Sequence, residues 1–380
     1  MKIKVGIDAS RNRSGGSKAH IIGIITELEL LPDEIKEVHV WSYKALLDIL
    51  PNTSWLIKHS PPILEKSLIH QLWWQYKRLP LEAASACVDI LLNTDAGSVC
   101  RYHPAVTMSR DMLSYEKGEI QRFGFGFARL RLYVLRYVQN YSLKKSDGAI
   151  FLTEYASQVI QRYCGKISNS IIIPHGVSKA FRIESNLGIW NKKEGEPIRC
   201  IYVSNVALYK HQWNIVKAIK HLRQQGHNLS VTFVGGGEGK AQRRFEKELL
   251  IADPEKKFTT QLEFVRHAEI PDLLKDSDVF IFASSCENMP NTLIEGMSSG
   301  LPIACSNRGP MPEVLQDGGI YFDPENYITI AQAIETIINM EANRLTISKR
   351  AKELSQQYNW SKCAQETFNY LVNTYKNMKK

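Results

Sequence analysis

The chain has 380 residues, a mass of 43.3 kDa, 44% hydrophobic and 23% charged residues, and a formal net charge of +9. This length suffices for two domains with separate cores, and no apolar run reaches the ~18 residues of a spanning helix. Residues 1–8 are too few and too polar for a signal peptide. Seven cysteines, an odd number without a Cys-x-x-Cys pair, argue against structural zinc and for a reducing compartment. We therefore expect a cytoplasmic globular protein.

The first half of the chain alternates strand and helix patterns. Strands are predicted at residues 3–7, 38–42, 55–58, 88–93, 104–108, 147–152 and 170–174, and helices at residues 19–31, 69–76 and 154–163. Residues 10–18 predict a basic loop, in which Gly15 and Gly16 form either a phosphate or substrate cradle or a plain turn. Arg110 and Asp111 follow a strand, where they either face a ligand cleft or form a salt bridge that holds the loop.

Basic charge is concentrated in the first 180 residues, which hold 23 Lys and Arg against 16 Asp and Glu, whereas the rest holds 25 against 23. In residues 122–145 the cations alternate with Phe, Leu and Tyr over one or two predicted helices. These charges form either a solvated helix face or a surface for an anionic membrane or nucleic acid. The candidates for an acceptor and membrane surface are Gly15, Lys18, Arg122, Arg129, Arg131 and Arg136.

The second half repeats the alternation after a polar stretch at residues 183–197, which predicts a linker. Strands are predicted at residues 201–203, 229–234, 262–265, 278–283 and 303–305, with helices between them and through the C-terminal part. The glycines at 235–239 permit either close approach to a ligand or a simple turn. Alternation on both sides of a linker predicts an α/β fold with two Rossmann-like, doubly wound domains that face each other across a cleft.

The stretch between the last two of these strands carries two glutamates. Pro290 disfavours a continuous helix through both, so Glu287 is assigned to a loop and Glu295 to the first turn of a helix. The amides expected to point out of that helix end are those of Asn291, Thr292 and Leu293. Such an end favours phosphate, and the two carboxylates fit sugar hydroxyls on either side of a diphosphate. Alternatively, Glu295 closes a capping box with Thr292, which leaves Glu287 unexplained.

In this order, these landmarks resemble the family-4 retaining glycosyltransferases of the two-domain GT-B type, over nearly the whole chain. Glu287 and Glu295, with seven residues between them, match the two-glutamate motif of that family. The other matches are Gly15-Gly16, residues 173–177, 300–303 and 312–314, and the closing residues 358–360.

The resemblance implies a role for each matched residue. Glu287 would contact the donor sugar near the reacting carbon, Glu295 would hold the nucleotide ribose, and Lys210 would neutralise the diphosphate leaving group. Asn205 stands where the family has an arginine, and Arg110 where it has a histidine before the aspartate. The implied donor-binding set is Gly16, Asn205, Lys210, Gly236, Arg266, Glu287, Asn291, Thr292, Leu293 and Glu295. The implied catalytic set is Glu287, Lys210, Arg110 and Asp111.

The resemblance also implies an acceptor-side domain at 1–182, a nucleotide-sugar domain at 198–358, and a C-terminal helix at 359–380 that crosses back to the first domain. The expected reaction is retaining transfer of a hexose from a nucleotide-diphosphate sugar, GDP-mannose before UDP-sugars, to a lipid-linked saccharide. The expected setting is lipopolysaccharide O-antigen or capsule synthesis at the inner face of the cytoplasmic membrane.

No cofactor and no metal are expected, although Asp276 and Asp278 form an Asp-x-Asp sequence of the kind that holds metals elsewhere. The expected partners are the nucleotide sugar, the lipid-linked acceptor and an anionic membrane surface, without nucleic acid. Two alternatives stay open: a sugar-nucleotide epimerase on the same fold, which would need no acceptor, and a nucleic-acid-binding protein, suggested by the basic charge alone.

Overall fold

A computed structural model describes residues 2–13, 15–28, 30–183, 188, 190 and 192–379. The chain divides into two compact units: unit 1 comprises Met1–Gly176 and Tyr358–Lys380, and unit 2 comprises Val177–Gln357. The predicted linker at 183–197 falls partly outside the described residues, because positions 184–187, 189 and 191 are not among them. No helix in the described ranges is long and apolar enough to cross a membrane.

Within the described residues, thirteen strands form two parallel sheets, one in each unit. The strands of unit 1 are β1 (Ile3–Asp8), β2 (Ile35–Trp41), β3 (Leu56–His59), β4 (Ile90–Asn93), β5 (Ala105–Met108), β6 (Gly148–Phe151) and β7 (Ser170–Ile172). Those of unit 2 are β8 (Ile198–Val203), β9 (Leu229–Val234), β10 (Thr259–Leu262), β11 (Val279–Phe282), β12 (Ile303–Ser306) and β13 (Ile320–Phe322). Their central members are buried on both faces, which explains the unbroken apolar runs in the sequence.

Helices cover the two sheets. In chain order they are α1 (Gly15–Thr26), α2 (Lys44–Leu47), α3 (Leu68–Lys77), α4 (Leu79–Ser85), α5 (Phe127–Lys145), α6 (Glu154–Cys164), α7 (Gln212–Gln224), α8 (Gly239–Ala252), α9 (Ile270–Lys275), α10 (Asn291–Ser299), α11 (Met311–Leu315), α12 (Tyr327–Asn339), α13 (Glu341–Ser355) and α14 (Trp360–Met378). Thr153 caps α6 by accepting a hydrogen bond from the Ala156 amide, as its sequence position predicts.

Each sheet has one position where the strand order reverses. The orders are β3-β2-β1-β4-β5-β6-β7 in unit 1 and β10-β9-β8-β11-β12-β13 in unit 2. The reversal therefore lies between β1 and β4 in unit 1, and between β8 and β11 in unit 2. In open α/β sheets, ligands bind beyond the carboxyl ends of the strands at this position. The residues that follow β8 and β11 are those around Lys210 and Glu287.

The C-terminal helix α14 belongs to unit 1, where it packs on α1 and β4. Its first residue, Trp360, lies against Gly23 of α1, where an added Cβ would come within 2.3 Å of the indole ring. Gly176 approaches the backbone of Trp360 just as closely, at 2.2 Å from an added Cβ to the amide nitrogen. The predicted fold class, including the returning C-terminal helix, is confirmed.

Three element assignments from the sequence differ from the structure. Helix α1 begins at Gly15, so Gly15, Gly16 and Lys18 lie in its first turn and not in a loop. Because glycine has a low helix propensity, the two glycines predicted a loop at the position where the helix begins. Strand β10 spans Thr259–Leu262 and not residues 262–265. Its partner β9 ends at Val234, and the Gly235 amide bonds the Leu262 carbonyl, so pairing stops there. Strand β13 was not predicted.

Candidate functional site

Lys210 and Glu287 meet at the point in unit 2 where the strand order reverses. Lys210 follows β8 and Glu287 follows β11, and the two side chains form an ion pair. Both side chains are largely buried, with exposed fractions of 9% and 16%. The Lys210 ammonium also lies over the rings of Tyr209 and Phe282, at 5.2 and 5.7 Å from their centroids. The pairing predicted from two separate stretches of sequence is thus a direct contact.

Ser285 ties the two loops together. Its amide donates to the Tyr209 carbonyl at 2.8 Å, and its hydroxyl is 2.9 Å from Nε2 of His211. His211 precedes α7 in the left-handed backbone region, with φ +53°. Because these bonds fix residues on either side of Lys210, they set where its ammonium lies. Sequence analysis had assigned no role to Ser285 or His211.

The start of α10 differs from the prediction. Glu295 lies in the second turn, since the helix begins at Asn291, and Pro290 before it offers no side-chain cap. The capping box with Thr292 is therefore absent. The Asn291 amide donates to the Met289 carbonyl and the Leu293 amide to the Pro290 carbonyl, each at 3.0 Å. The prediction of three free amides is wrong for these two, because the chain turns at Pro290 and brings both carbonyls within reach.

Glu295 is held from outside its own helix. Its Oε1 is 2.8 Å from Nε2 of His267, which follows β10 and lies against the Phe181 ring at 5.0 Å. Its Oε2 is buried, and the described residues provide no hydrogen-bond donor to it. A buried carboxylate oxygen without a donor is costly unless a ligand supplies one. Glu295 is therefore suited to accept from a ligand hydroxyl. Sequence analysis had assigned no role to His267.

The hydrogen bond to Glu295 raises the pKa of His267 above its usual 6.5. We expect Glu295→Gln to return this pKa toward 6.5, measured by NMR titration of the imidazole protons. Because the folded-state pKa is raised, the pair stabilises unit 2 fully below the unfolded-state pKa and loses that contribution as pH rises through the folded-state value. The stability difference between wild type and Glu295→Gln should thus shrink as the pH is raised.

Glu269→Gln provides the matched control for this titration. It removes a carboxylate from the same short turn, but Glu269 pairs with Arg266 and not with His267. An equal fall of the His267 pKa in both variants would contradict the assigned cause.

The glycines after β9 pack against the loop after β8. Gly235 has φ +130°, and an added Cβ would lie 2.4 Å from the Ser204 carbonyl oxygen. The Gly236 carbonyl accepts from the Val206 amide at 2.9 Å. At Gly235 the close approach is therefore to protein backbone. The exposed residue Asn205 lies in this loop, and its carbonyl accepts from Nε2 of Gln212 at 3.0 Å.

Arg266, a predicted site residue, and Asp278, part of the Asp-x-Asp sequence, both have protein partners. Arg266 pairs with Glu269, and its side chain is 74% exposed. Asp278 accepts from the Arg199 amide at 2.7 Å and pairs with Lys192 and Arg199, so it fixes the start of β11. The described part of the chain contains no group of three or more His, Cys, Asp or Glu residues arranged to hold a metal.

In unit 1, Arg110 lies beyond β5, next to the loop after β1. Its Nη2 is 3.4 Å from Oδ1 of Asn12, whereas Nε and Nη1 are buried without an acceptor among the described residues. Burial lowers the pKa of this guanidinium to about 10. Asp111 accepts from the Leu113 amide at 3.0 Å and from Gln139 of α5 at 3.2 Å, and burial raises its pKa.

Beside Arg110 lies a second buried group. The ring of His20 stacks on that of His175 at 4.8 Å, and no partner for either His20 nitrogen is present in the described ranges. Burial lowers the pKa of His20 well below 6.5. The His175-Gly176 and Trp360 motifs, which matched the family pattern, meet here as a packing contact.

The arginines of the basic segment at residues 122–145 differ in burial and in their partners. Arg122 pairs with the buried Glu119 at 2.8 Å, and Arg136 bonds the Ser114 carbonyl and stacks over Tyr163. Arg129 stacks over Phe125 at 4.8 Å, and Arg131 is exposed. Two of the four arginines thus stabilise unit 1 itself.

Comparison with known proteins finds a family match for part of the chain. Residues 185–354 match the family described as "Glycosyl transferases group 1". The chain is 26% identical over 191 residues to spore coat protein SA of Bacillus subtilis, which is 48% of this chain and 49% of that protein. It is 29% identical over 108 residues to O-antigen chain mannosyltransferase B of Escherichia coli, 28% of each chain.

Solved structures agree over the whole chain. Sucrose-phosphate synthase from Thermosynechococcus elongatus superposes with a TM-score of 0.78 at 15% identity, covering 99% of both chains. Anabaena HepE in complex with UDP and glucose superposes with a TM-score of 0.71 at 16% identity, covering 97% of this chain and 99% of that one. These structures confirm the predicted GT-B fold, and residues 185–354 match the predicted family, the group 1 glycosyltransferases.

The group 1 glycosyltransferase match covers only part of the candidate site. It includes Lys210, Glu287 and Glu295, and it leaves out Arg110 and Asp111. The chain spans about half the length of the spore coat relative and less than a third of the mannosyltransferase.

Proposed function

We propose that this protein is a retaining glycosyltransferase that moves a hexose from a nucleotide-diphosphate sugar to a lipid-linked saccharide. The observation that carries this proposal is the contact between Lys210 and Glu287 where the strand order of unit 2 reverses. A cation and a carboxylate held together there fit a ligand in which an anionic diphosphate adjoins a sugar. Glu295, with its buried and unpartnered Oε2, suits the ribose hydroxyls of the same ligand.

The chemistry follows from these positions. The bond between the sugar C1 and the diphosphate oxygen breaks, and the nucleoside diphosphate leaves with both electrons. The acceptor oxygen forms its bond to C1 on the same face, and its proton passes to an oxygen of the leaving phosphate. Lys210 balances the charge of the leaving group, so we propose that no metal is needed for this. Glu287 lies near the reacting carbon and favours the positive charge that develops there.

The donor and the pathway are proposed from the named relatives. Alongside O-antigen chain mannosyltransferase B stands the amylovoran biosynthesis glycosyltransferase AmsK of Erwinia amylovora, 28% identical over 128 residues. Both names belong to surface polysaccharides, and the first to a mannosyl transfer. We therefore propose GDP-mannose as donor, ahead of UDP-sugars, and an O-antigen or capsule acceptor.

Nucleotide release tests this proposal. GDP-mannose, UDP-glucose and dTDP-glucose are each incubated with the full chain and a synthetic dodecyl diphosphate-linked hexose, and nucleoside diphosphate is measured by chromatography. We expect one donor to react, and Glu287→Gln to slow its transfer about tenfold. Glu255→Gln, a change on an exposed residue paired with Lys257, is the control. Transfer at the wild-type rate by Glu287→Gln would exclude the role given to Glu287, and release without any acceptor dependence would favour an epimerase or hydrolase.

We also propose that unit 1 binds an anionic membrane surface through the start of α5. Phe125 and Phe127 are 98% and 80% exposed, and the cations Arg129 and Arg131 lie beside them. Exposed aromatic rings next to arginines are typical of interfacial segments, which combine apolar burial with attraction to anionic lipid.

Vesicle binding tests the membrane proposal. Vesicles with roughly one third anionic lipid should sediment the wild type, because each cation near such a surface contributes about 1 kcal/mol. Phe127→Asp with Arg131→Glu should reduce the bound fraction several-fold. Leu250→Asp with Lys247→Glu, an equivalent change on α8 of unit 2, should not. Equal loss in both double variants would contradict the assignment to α5.

A further inference from the structure

The connection between β4 and β5 differs from the other crossovers of the unit 1 sheet. Residues 94–104 join the two strands without a helix, whereas every other connection in this sheet contains at least one. Residues of this connection, with Asn93 of β4 and Ala105 and Thr107 of β5, border the space between α3 and α5. A cavity of about 460 Å³ lies there, a volume within the usual range of ligand sites.

Four tyrosines lie in the walls of this cavity, which we call the tyrosine pocket. Its rings are contributed by Tyr76 of α3, Tyr102 of the connection, and Tyr137 and Tyr141 of α5. Val99 and Val138 add aliphatic surface between them. Such a lining offers large apolar area with a few hydroxyl groups, which suits a chain or a flat apolar ligand.

The polar groups on the floor bond to one another. The Ser98 hydroxyl donates to Oδ1 of Asn93 at 3.0 Å, and Nδ2 of Asn93 lies 3.4 Å from the Thr107 hydroxyl. A saccharide needs hydrogen-bonding partners at several hydroxyls, and this floor already uses its own. An apolar ligand makes no such demand, so the floor favours an apolar ligand.

The charge of the lining is of one sign. The described lining residues include the cations Arg101 and Lys145 and no carboxylate. Arg101 stacks over the Tyr76 ring at 4.6 Å, which holds its guanidinium at the pocket. The nearby Asp147 carboxylate already accepts from the Ala105 amide at 2.8 Å and pairs with His103. Two cations at an apolar pocket complement an anionic group at the end of an apolar chain.

An exposed apolar stripe leads to the pocket along α5. Leu130, Val134, Tyr137 and Tyr141 recur at helical spacing, and their exposed fractions are 59%, 55%, 73% and 50%. The last two also line the pocket. The stripe thus connects the surface that we propose for membrane binding with the cavity, which gives a lipid a continuous apolar route.

We propose that the tyrosine pocket binds the lipid end of the acceptor, with its chain among the tyrosines and its phosphate at Arg101 and Lys145. This inference rests on the proposed function, since it names the part of the acceptor that unit 1 holds. Helix α5 links the pocket to the end of β5: Val138 lines the cavity, and the next residue, Gln139, donates to Asp111 at 3.2 Å.

Calorimetric titration with dodecyl phosphate, below its micellar concentration, tests the proposal on the full chain. We expect saturable binding that Arg101→Gln and Lys145→Gln each weaken roughly fivefold, as for loss of one charge contact. Val138→Trp, which fills the cavity, should abolish it. The controls are Lys144→Gln, the same charge change outside the lining, and Ile251→Trp, an enlargement of an exposed residue on α8; both should bind as the wild type does.

Three further ligands separate the alternatives. Inorganic phosphate and maltose should not bind, and maltose that bound and competed with dodecyl phosphate would make the pocket a saccharide site and overturn the proposal. Displacement of dodecyl phosphate by phosphatidylglycerol vesicles would assign the pocket to a bilayer lipid and overturn the acceptor assignment. Equal binding by Val138→Trp and Ile251→Trp, or by Lys145→Gln and Lys144→Gln, would also overturn it.

A failure of the pocket assignment can be distinguished from a failure of the proposed function. Stabilisation by GDP or UDP reports on unit 2 and does not involve the pocket. If a nucleotide raises the melting temperature and donor turnover is seen while dodecyl phosphate fails to bind, the pocket assignment alone is wrong. If dodecyl phosphate binds as expected and no nucleotide does, the proposed glycosyltransferase function is wrong.

Discussion

Replacing Lys210 by Met is expected to reduce sugar transfer by about a thousandfold, roughly 4 kcal/mol of transition-state stabilisation. Methionine retains the apolar stem over Tyr209 and Phe282 but removes the charge that faces the leaving diphosphate. It also leaves the largely buried Glu287 without its cation, and that carboxylate would then repel the donor phosphates. The measurement is the initial rate of nucleotide release, together with the melting temperature shift given by GDP or UDP.

Lys217→Met on α7 is the matched control, since Lys217 is 39% exposed and pairs with Glu248. A double variant separates charge from fold: Lys210→Met with Glu287→Gln no longer buries an unpaired charge, so it should regain stability but not transfer. If Lys210→Met kept more than about a tenth of the wild-type rate, the leaving group would not depend on this ammonium.

Gly176→Ala is expected to destabilise unit 1 by about 3 kcal/mol or more. An added Cβ would lie 2.2 Å from the Trp360 amide nitrogen and 2.6 Å from the Asn359 carbonyl carbon. These are backbone atoms, which cannot rotate away as a side chain can. The start of α14 therefore has to shift away from α1. Hydrogen exchange by mass spectrometry should show faster exchange in α1 and α14 and unchanged exchange in α7 and α10.

Gly126→Ala serves as the control for this substitution. Gly126 has an extended backbone with φ 175°, and an added Cβ there has no atom within 4 Å. Exchange in α1 and α14 that was the same in both variants would show that Trp360 does not depend on the small residue at position 176.

The sequence predicted most of the sheet framework because its signal is local. Central parallel strands are buried on both faces, so runs such as Val279–Phe282 are apolar throughout and cannot be mistaken for surface segments. The error at β10 has a non-local cause. Phe264 continues an apolar pattern but is 84% exposed, because the neighbouring strand has already ended at Val234. Pairing length depends on the partner strand, which local sequence does not reveal.

The part of the candidate site that was predictable from sequence consists of the residues that belong to recognisable motifs. Lys210 and Glu287 were assigned from separate stretches, and the structure brings them into contact. Glu295 was found, but its partner His267 is 28 positions away and belongs to another loop. The tyrosine pocket was not foreseen, since a cavity depends on how α3, α5 and the helix-free connection at residues 94–104 pack together, which local sequence does not reveal.

The placement of α14 has a consequence for synthesis on the ribosome. Residues of α1 emerge early, yet the helix that covers them, Trp360–Met378, is made after the whole of unit 2. Domains usually fold in the order in which they are made. Here the order is inverted, because all of unit 2 is synthesised before the last helix of unit 1. Until α14 is made, the surface at Gly23 and Gly176 that Trp360 covers in the folded protein is exposed. During translation, the oldest part of the nascent chain is therefore the part that most needs a chaperone.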